Sequence, residues 1–367
     1  MQLTASSTYN YPDFNQINLV DYELVHGFSI LGFLKKYRDD CIFITAEQWQ
    51  DYNNYEWLDQ VIQKGLKLNK IICIIPWDEF IINPTHLELS KVLNKYTNDP
   101  VWFITQLDDE SQKIYTFQHN IKCKIIELPW WMLNDCLGYY AVSKKIPTRI
   151  GKYNYLCMLG RYESHKFDLA KLLREYKLDN YGLITVSDPK MYPEENLDFC
   201  IPNKNPPYRN LHKSWPKMAA QAKINDVWVS SNVENFLFIE QEYTDIPLII
   251  NPETTCGIFF NTEKSLWPLL LGKLMLVYGR PGAMKYMQRF YDVDFSSYAN
   301  LDFDLSTDDW TKEGHFKRLQ MLVYKNRHLI EDCNEIYQQM KRNLESARWT
   351  LGRNIYKYFV SQLDKIQ

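Results

Sequence analysis

From residue 41 onward, short apolar runs alternate with longer amphipathic runs, and this alternation constrains the fold more than any other feature of the chain. It is typical of βα units built around a mostly parallel sheet. In the first part of the chain the pattern predicts strands at 41–47, 70–76, 101–106 and 124–129. It predicts helices between them at 53–66, 85–97 and near 110–119. We therefore expect residues 1–150 to form a Rossmann-like α/β domain.

A second βα series follows a basic linker that contains proline and glycine and ends near residue 152. The predicted strands are at 153–159, 181–187, 227–231, 246–253 and 273–279. The predicted helices are at 165–178, 262–272 and 281–290, with a helical tail over 318–366. The segment 188–216 carries six of the sixteen prolines, which predicts an excursion or loop. We expect a second Rossmann-like domain over 151–345 and a C-terminal helix at 346–367 that packs back on the first domain.

Two successive α/β halves joined by one linker imply a cleft between the two domains, and 367 residues are enough for both. Ligands of open α/β sheets bind beyond the carboxyl ends of the strands. The loops that follow the predicted strands are therefore where we look for functional side chains.

Composition excludes several classes of protein. Hydrophobic residues make up 46% of the chain and charged residues 24%, which is typical of globular proteins and excludes disordered, collagen-like and coiled-coil chains. The net charge of −3 gives no overall basic field for sequence-independent binding of nucleic acid. There is no signal-peptide pattern and no apolar run near the ~20 residues of a membrane span. The eight cysteines include no C-x-x-C pair, which predicts buried thiols in a reducing, cytoplasmic compartment.

The first segment with chemical content is CMLGRYESHKFDLAKLL, in which a predicted strand ends at Gly160 and a helix follows. The loop and the start of the helix carry Arg161, His165 and Lys166. Cations beside a helix N-terminus suit an anionic ligand, because the backbone N–H groups and the helix dipole already favour negative charge there. The alternative is that these are solvated loop charges. The segment has no G-x-G-x-x-G, so it gives no support to a nicotinamide or flavin oxidoreductase.

The second segment runs from 246 to 295 and contains a strand end, a helix start and a glycine-containing turn. The strand ends at Pro252, Glu253 and Thr254, and the helix opens with Thr262, Glu263 and Lys264. Carboxylates suit ribose or sugar hydroxyls and cations suit a diphosphate, so together these residues have the character of a nucleotide-sugar site. The alternative for Thr262 and Glu263 is an N-cap and a first-turn acid.

The same segment continues into YGRPG, where Gly279 and Gly282 follow the next strand. Glycine at these positions allows close backbone approach to a ligand or a tight turn.

In order, these segments read as a strand, G-R-x-x-x-H-[KR], P-E-T and F-x-T-E-K-S-x-x-P-L-L-x-G-K-x-x-x-V-x-G-x-P-G. This order resembles the donor-binding half of a group of GT-B glycosyltransferases, many of them from phages and other viruses. The T-E-K segment is also similar to that of the α1,3-fucosyltransferases. The resemblance covers about residues 153–300 and is strongest over 253–282.

This resemblance implies the GT-B architecture, with two Rossmann-like domains facing each other across a cleft. The second domain would hold a UDP- or GDP-linked sugar, the substrate, without a metal or other cofactor. Glu263 and Lys264 match the T-E-K residues, Glu253 and Thr254 the E-T, and Arg161, His165 and Lys166 the basic loop. A virus-encoded enzyme of this kind would act in the cytoplasm of the host cell.

The first domain would then hold the acceptor, either a glycan or a hydroxymethylated DNA base. Transfer with inversion needs a group that takes the proton of the acceptor hydroxyl. Asp78 and Glu79 follow the strand KIICIIP directly, where a base could face the cleft, although a solvated acidic turn is the alternative. Two D-x-D triplets, at 292–294 and 302–304, are interpreted as strand-end or loop charges rather than metal ligands. A GT-B-like binding or structural protein without turnover remains the alternative function, and the oligomeric state is left open.

Overall fold

The computed structural model describes residues 3–4, 23–24, 34, 37–45, 55–76, 87–107, 109–129, 132, 152–160, 163–186, 201–202, 245–253, 263–305 and 311–367. The strands in these ranges are β1 (Leu3–Thr4), β2 (Glu23–Leu24), β3 (Cys41–Thr45), β4 (Ile71–Ile75), β5 (Val101–Thr105), β6 (Lys124–Glu127), β7 (Tyr155–Gly160), β8 (Gly182–Val186), β9 (Ile201–Pro202), β10 (Leu248–Pro252) and β11 (Leu274–Tyr278). The α-helices are α1 (Tyr55–Lys67), α2 (Leu87–Leu93), α3 (Asp109–His119), α4 (Ser164–Glu175), α5 (Glu263–Leu270), α6 (Ala283–Gln288), α7 (Asp302–Leu305), α8 (Lys312–Lys325), α9 (Arg327–Glu331) and α10 (Asn334–Leu363).

The first sheet consists of four parallel strands in the order β3-β4-β5-β6, so each strand pairs with its neighbour in the chain. Right-handed crossovers in one direction place all the connecting helices on the same face. The side chains agree with this rule, because apolar residues of α1, α2 and α3 share one hydrophobic cluster with Ile72, Ile74 and Phe103. The other face of the sheet, with Cys73 and Ile104, belongs to a different cluster.

The second sheet has the parallel order β11-β10-β7-β8-β9. The chain moves outward from the central β7 to β8 and β9, then returns to the other side of β7 for β10 and β11. This is a doubly wound arrangement, and the strand order reverses between β7 and β10. β10 and β11 are buried along their whole length, which explains why they are continuous apolar runs rather than alternating ones.

The last helix, α10, extends over 30 residues, about 45 Å at the usual rise per residue. It packs against α5 beside the second sheet, and its C-terminal end reaches the first. There the Trp102 indole N–H donates to the main-chain oxygen of Gln367 at 3.1 Å, and Arg38 Nη1 donates to the carbonyl of Leu363 at 2.7 Å. Phe359, Leu363 and Ile366 belong to the same apolar cluster as Cys73 and Ile104 of the first sheet.

The strands and helices predicted between residues 41 and 290 are confirmed wherever the structure describes them, with ends that differ by up to four residues. The predicted helical tail is three helices, α8, α9 and α10, and the last of them begins at Asn334 rather than at 346. The short strand β9 lies within the segment predicted to be a loop. The two parallel sheets confirm the expected mixed α/β fold. The predicted strand at 227–231, most of the 188–216 excursion and the linker residues 133–151 lie outside the described residues.

The described cysteines, Cys41, Cys73, Cys123, Cys157 and Cys333, are free and buried, which confirms the prediction for these five positions. Among the helices the structure describes, none is long and apolar enough to cross a membrane.

Candidate functional site

The strand order of the second sheet reverses between β7 and β10, and open α/β sheets form their ligand crevice beyond the carboxyl ends of such a strand pair. The two strands pair in parallel from Leu248↔Tyr155 onward, so their carboxyl ends lie at the same edge. β7 ends at Gly160, and Glu253 directly follows β10. Open α/β sheets bind their ligands at this switch point, because the neighbouring loops diverge to opposite faces of the sheet.

Helix α4 begins at this crevice. Its N-cap residue, Glu163, is extended (φ −149°, ψ 132°), and its side chain makes no capping hydrogen bond. The Lys166 amide bonds to the Glu163 carbonyl at 2.9 Å, whereas the Ser164 and His165 amides have no acceptor among the described residues. The buried face of the helix, which includes Phe167 and Leu169, fixes its position against the sheet. Two amides without a partner among the described residues, and the positive end of the helix dipole, therefore lie at the switch point.

His165 connects the start of α4 to the end of β10. Its Nε2 atom lies 2.7 Å from the carbonyl oxygen of Glu253. A carbonyl oxygen can only accept, so Nε2 carries the proton. The pKa of His165 is lowered to about 4, mainly by burial and also by the charges of Lys166 and His315, while the hydrogen bond to Glu253 opposes the shift. At neutral pH this imidazole is therefore uncharged.

The Glu253 carboxylate lies in a buried polar network between β10 and the first turn of α5. Its side chain is 1% exposed, and Oε1 accepts hydrogen bonds from the Ser265 hydroxyl and from Asn251 Nδ2, the latter at 3.1 Å. Asn251 Nδ2 also donates to Ser265 Oγ at 2.9 Å. A carboxylate beside a helix N-terminus is favoured by the helix dipole. The network fixes the start of α5, and with it Glu263 and Lys264, relative to the strand end.

A second polar cluster lies at the end of β11. The Tyr278 hydroxyl is 3.0 Å from both the carbonyl oxygen and Nδ1 of His315 on α8. Arg318, 1% exposed, lies over the Tyr278 ring at 4.9 Å and donates to the carbonyls of Gly279 and Phe303, each at 2.9 Å. Burial and the Arg318 charge lower the pKa of His315. The Tyr278 ring is 6.0 Å from that of His165, so the two clusters adjoin.

The glycine turn after β11 leads into α6, and a protein carboxylate occupies the helix start. Gly282 has φ +87°, in the left-handed region that favours glycine. Asp304 accepts from the amides of Met284 and Lys285, each at 3.2 Å. Burial raises the pKa of Asp304, and these backbone hydrogen bonds oppose that shift. The role of Gly282 is therefore to allow the left-handed backbone conformation of this turn.

Of the residues predicted for donor binding, the structure brings His165 and Glu253 into direct contact and places Gly279 at the end of the neighbouring strand. Lys166 lies in the first turn of α4 and is 1% exposed. Glu263 and Lys264 are the first two residues of α5, and their side chains are not described. The predicted residues that lie outside the described part of the chain are Asp78, Glu79, Arg161, Thr254 and Thr262.

Sequence reasoning missed the polar residues that complete these clusters. Asn251 interrupts an otherwise apolar strand, and Ser265 directly follows T-E-K, so the nearby sequence gave a signal for both residues. His315 and Arg318 come from a helix far along the chain and had none.

Across the described ranges, no group of three or more His, Cys, Asp or Glu side chains is arranged to hold a metal ion. Three acids of the two D-x-D triplets bond to protein groups. Asp292 accepts from Thr350 at 2.6 Å, Asp294 caps a short helix through the Ser296 amide at 2.9 Å, and Asp304 caps α6.

In comparisons with known proteins, no protein-family model matches this chain, and no curated protein is significantly similar to it.

Proposed function

We propose that this protein is a glycosyltransferase of GT-B architecture that moves a sugar from a nucleotide-sugar donor to an acceptor hydroxyl. The observation that carries the proposal is the switch point between β7 and β10, where the uncapped start of α4 meets the His165–Glu253 contact. Among the described residues of the motifs that resemble glycosyltransferase donor sites, His165, Glu253 and the start of α5 lie together at this edge of the sheet. Fold position and sequence motif therefore favour the same location for the donor.

The donor would bind with its diphosphate at the start of α4. The amides of Ser164 and His165 offer two N–H donors that need no side chain, and the helix dipole favours the phosphate charge. Arg161, in the preceding loop, is the cation that we assign to the same group on sequence grounds. Glu263 and Lys264, at the start of α5, are assigned to the sugar hydroxyls and the diphosphate respectively.

In the transfer, the acceptor hydroxyl oxygen attacks the anomeric carbon of the sugar. The bond from that carbon to the phosphate oxygen breaks, and the nucleoside diphosphate leaves with the bonding electrons. In an inverting reaction, Asp78 or Glu79 would take the proton of the attacking hydroxyl. Amides and cations around the diphosphate would stabilise the charge on the leaving group. These steps need no metal, and the acceptor is a glycan or a hydroxymethylated DNA base.

Thermal unfolding of the purified protein tests the donor site. We expect the midpoint to rise with either UDP- or GDP-linked compounds, and to rise equally in Mg²⁺ and in EDTA, because a ligand that binds only the folded state stabilises it by mass action. If no nucleoside diphosphate or nucleotide sugar shifts the midpoint, the proposal is wrong.

A measurement of turnover distinguishes an enzyme from a GT-B-like binding protein. Release of nucleoside diphosphate from the bound donor is measured with a glycan acceptor and with hydroxymethylcytosine DNA. The Asp78→Asn and Glu79→Gln variants are compared with the wild type, and one of them should lose rate while retaining donor binding. Donor binding without release on either acceptor would favour the binding protein.

A further inference from the structure

The imidazole of His165 projects from the start of α4 in a fixed orientation. The 2.7 Å bond from Nε2–H to the Glu253 carbonyl uses one ring nitrogen. The other, Nδ1, has no hydrogen-bond partner among the described residues, and the side chain is only half-buried. With the proton held on Nε2, Nδ1 presents a lone pair and can act only as an acceptor.

An unprotonated Nδ1 selects the kind of ligand group that can lie against it. A phosphate oxygen at neutral pH is an acceptor and would meet the imidazole lone pair without a proton between them. A hydroxyl or an N–H group has the proton that the contact needs. His165 therefore differs chemically from Arg161 and Lys166, with which the sequence groups it as part of a basic loop.

We infer that His165 is a specificity residue whose Nδ1 accepts a hydrogen bond from a ligand hydroxyl, and that it does not act as a cation toward phosphate. This inference rests on the proposed function, because the hydroxyl belongs to a sugar attached to the phosphate at α4. That sugar is either the ribose of the nucleotide or the transferred sugar, and both present the same chemistry.

The surroundings of His165 keep the imidazole neutral. The charged and titratable groups near it in the described residues are Lys166 on α4, Glu253 after β10, Tyr278 on β11 and His315 on α8, and Arg318 lies over the Tyr278 ring. The Glu253 carboxylate bonds to Asn251 and Ser265, while its carbonyl holds the imidazole. Burial and the neighbouring Lys166 both oppose a second proton.

Two substitutions separate the two roles of the side chain. His165→Gln keeps an amide donor for the Glu253 carbonyl and removes the acceptor at the position of Nδ1. His165→Lys supplies a permanent cation and no acceptor. A phosphate-binding role predicts that Lys preserves affinity and that Gln loses it, whereas a hydroxyl-accepting role predicts that both variants lose affinity.

The ligand supplies the second half of the test. Dissociation constants are measured by calorimetry for the UDP or GDP ligand that the wild type binds, for its 2′-deoxy and 3′-deoxy forms, and for nucleotide sugars lacking single sugar hydroxyls. We expect the wild type to bind one deoxy ligand about five- to tenfold more weakly than its parent, the usual contribution of one hydrogen bond. His165→Gln should bind that deoxy ligand and its parent equally. The position of the missing hydroxyl then shows whether Nδ1 contacts the ribose or the transferred sugar.

Nitrogen-15 NMR of the histidine side chains tests the tautomer without any ligand. The signals absent from the spectrum of His165→Gln assign His165, and we expect a neutral ring with its proton on Nε2 from pH 5.5 to pH 8. A protonated ring at neutral pH overturns the inference.

The calorimetry has three other informative outcomes. Equal binding of all deoxy ligands by the wild type overturns this inference and leaves the proposed function standing. Tighter binding by His165→Lys than by the wild type also overturns it, in favour of a phosphate contact. If the wild type binds no nucleotide at all, the proposed function and this inference fail together.

Discussion

The Tyr358 hydroxyl on α10 donates to Oε2 of Glu127, the last residue of β6, at 2.7 Å. The Tyr286 hydroxyl on α6 donates to the other oxygen of the same carboxylate, and Arg289 Nη1 lies 4.0 Å from Oε2. Glu127 is 1% exposed. One buried carboxylate thus connects the carboxyl edge of the first sheet, a helix that follows the second sheet and the long C-terminal helix. This carboxylate therefore adds a polar contact to the apolar cluster that the two sheets share.

We expect Tyr358→Phe to lower the free energy of unfolding by about 1.5–3 kcal/mol, because the substitution removes a hydrogen bond to a buried charged group. Urea unfolding followed by fluorescence measures the change. Tyr324→Phe is the matched control, since Tyr324 is 61% exposed and its hydroxyl makes no hydrogen bond among the described contacts. The control should change stability by less than about 0.5 kcal/mol. Equal effects in the two variants would show that the Glu127 contact contributes nothing.

Ser265→Ala should destabilise the protein by a similar amount. The hydroxyl donates to the buried Glu253 carboxylate and accepts from Asn251, so its loss leaves both groups short of a partner. The expected cost is about 1.5–3 kcal/mol in urea unfolding. Ser361→Ala is the comparison, because the Ser361 hydroxyl bonds only to the carbonyl of Tyr358 in the same exposed helical turn. A Ser265→Ala protein as stable as the Ser361→Ala protein would show that the hydrogen bonds among Ser265, Glu253 and Asn251 do not stabilise the fold.

Gly282→Ala isolates the cost of a left-handed backbone. An added Cβ at Gly282 has no neighbour within 4 Å, so its penalty comes from φ +87° alone. We expect a loss of about 1–2 kcal/mol, measured as a lower melting temperature. Gly279→Ala is the control, because its Cβ would meet Ala283 and Glu253 at ordinary contact distances of 3.5 and 3.6 Å. A control that is more damaging than Gly282→Ala would mean that crowding matters more here than backbone conformation.

Stability should fall in mild acid through His165. Its pKa is lowered to about 4 in the folded protein, whereas an unfolded histidine titrates near pH 6.5. Between these values the unfolded chain binds a proton that the folded protein does not, so the free energy of unfolding falls as the pH falls. His315 has a lowered pKa and contributes in the same direction.

His165→Gln should remove part of this pH dependence, and the measurement is urea unfolding of both proteins at pH 7 and pH 5.5. The wild type is expected to lose more stability than the variant over this interval. Parallel losses would mean that the His165 pKa in the folded protein is close to its unfolded value.

The sequence predicts the described strands and helices well because each is a buried apolar run or an amphipathic one with clear punctuation. It does not predict which strands are neighbours. The runs that form β7 and β10 are nearly 90 residues apart along the chain, and a hydrophobic run identifies a strand without naming its partner. The switch point, which defines the candidate site, therefore emerges only from the folded chain.

Within the site, the sequence predicts the features formed by residues close together in the chain, but not the contacts between residues that are far apart in it. The start of α4 and the T-E-K segment could be predicted, because each has a sequence motif close after a predicted strand end. The His165–Glu253 contact joins residues 88 apart, and its consequence, a neutral and oriented imidazole, reverses the expectation from a loop rich in cations. Charge type in a sequence predicts function poorly where burial decides the protonation state.

Lys264→Ala tests the donor site most directly. Lys264 is the second residue of α5, whose start is fixed by the Ser265–Glu253 hydrogen bond, so a change at this position should leave the helix in place. We expect turnover of the nucleotide sugar to fall at least about 100-fold, since loss of a charged contact to the leaving group removes about 3 kcal/mol of transition-state stabilisation. The melting temperature should remain within a few degrees of the wild-type value.

Glu263→Ala is expected to behave in the same way. The controls for charge removal are Lys317→Ala and Glu313→Ala, which change an exposed i,i+4 pair on α8. Normal turnover in both α5 variants would contradict the donor-site assignment, because α5 is the only described helix that begins with the T-E-K residues beside the switch point.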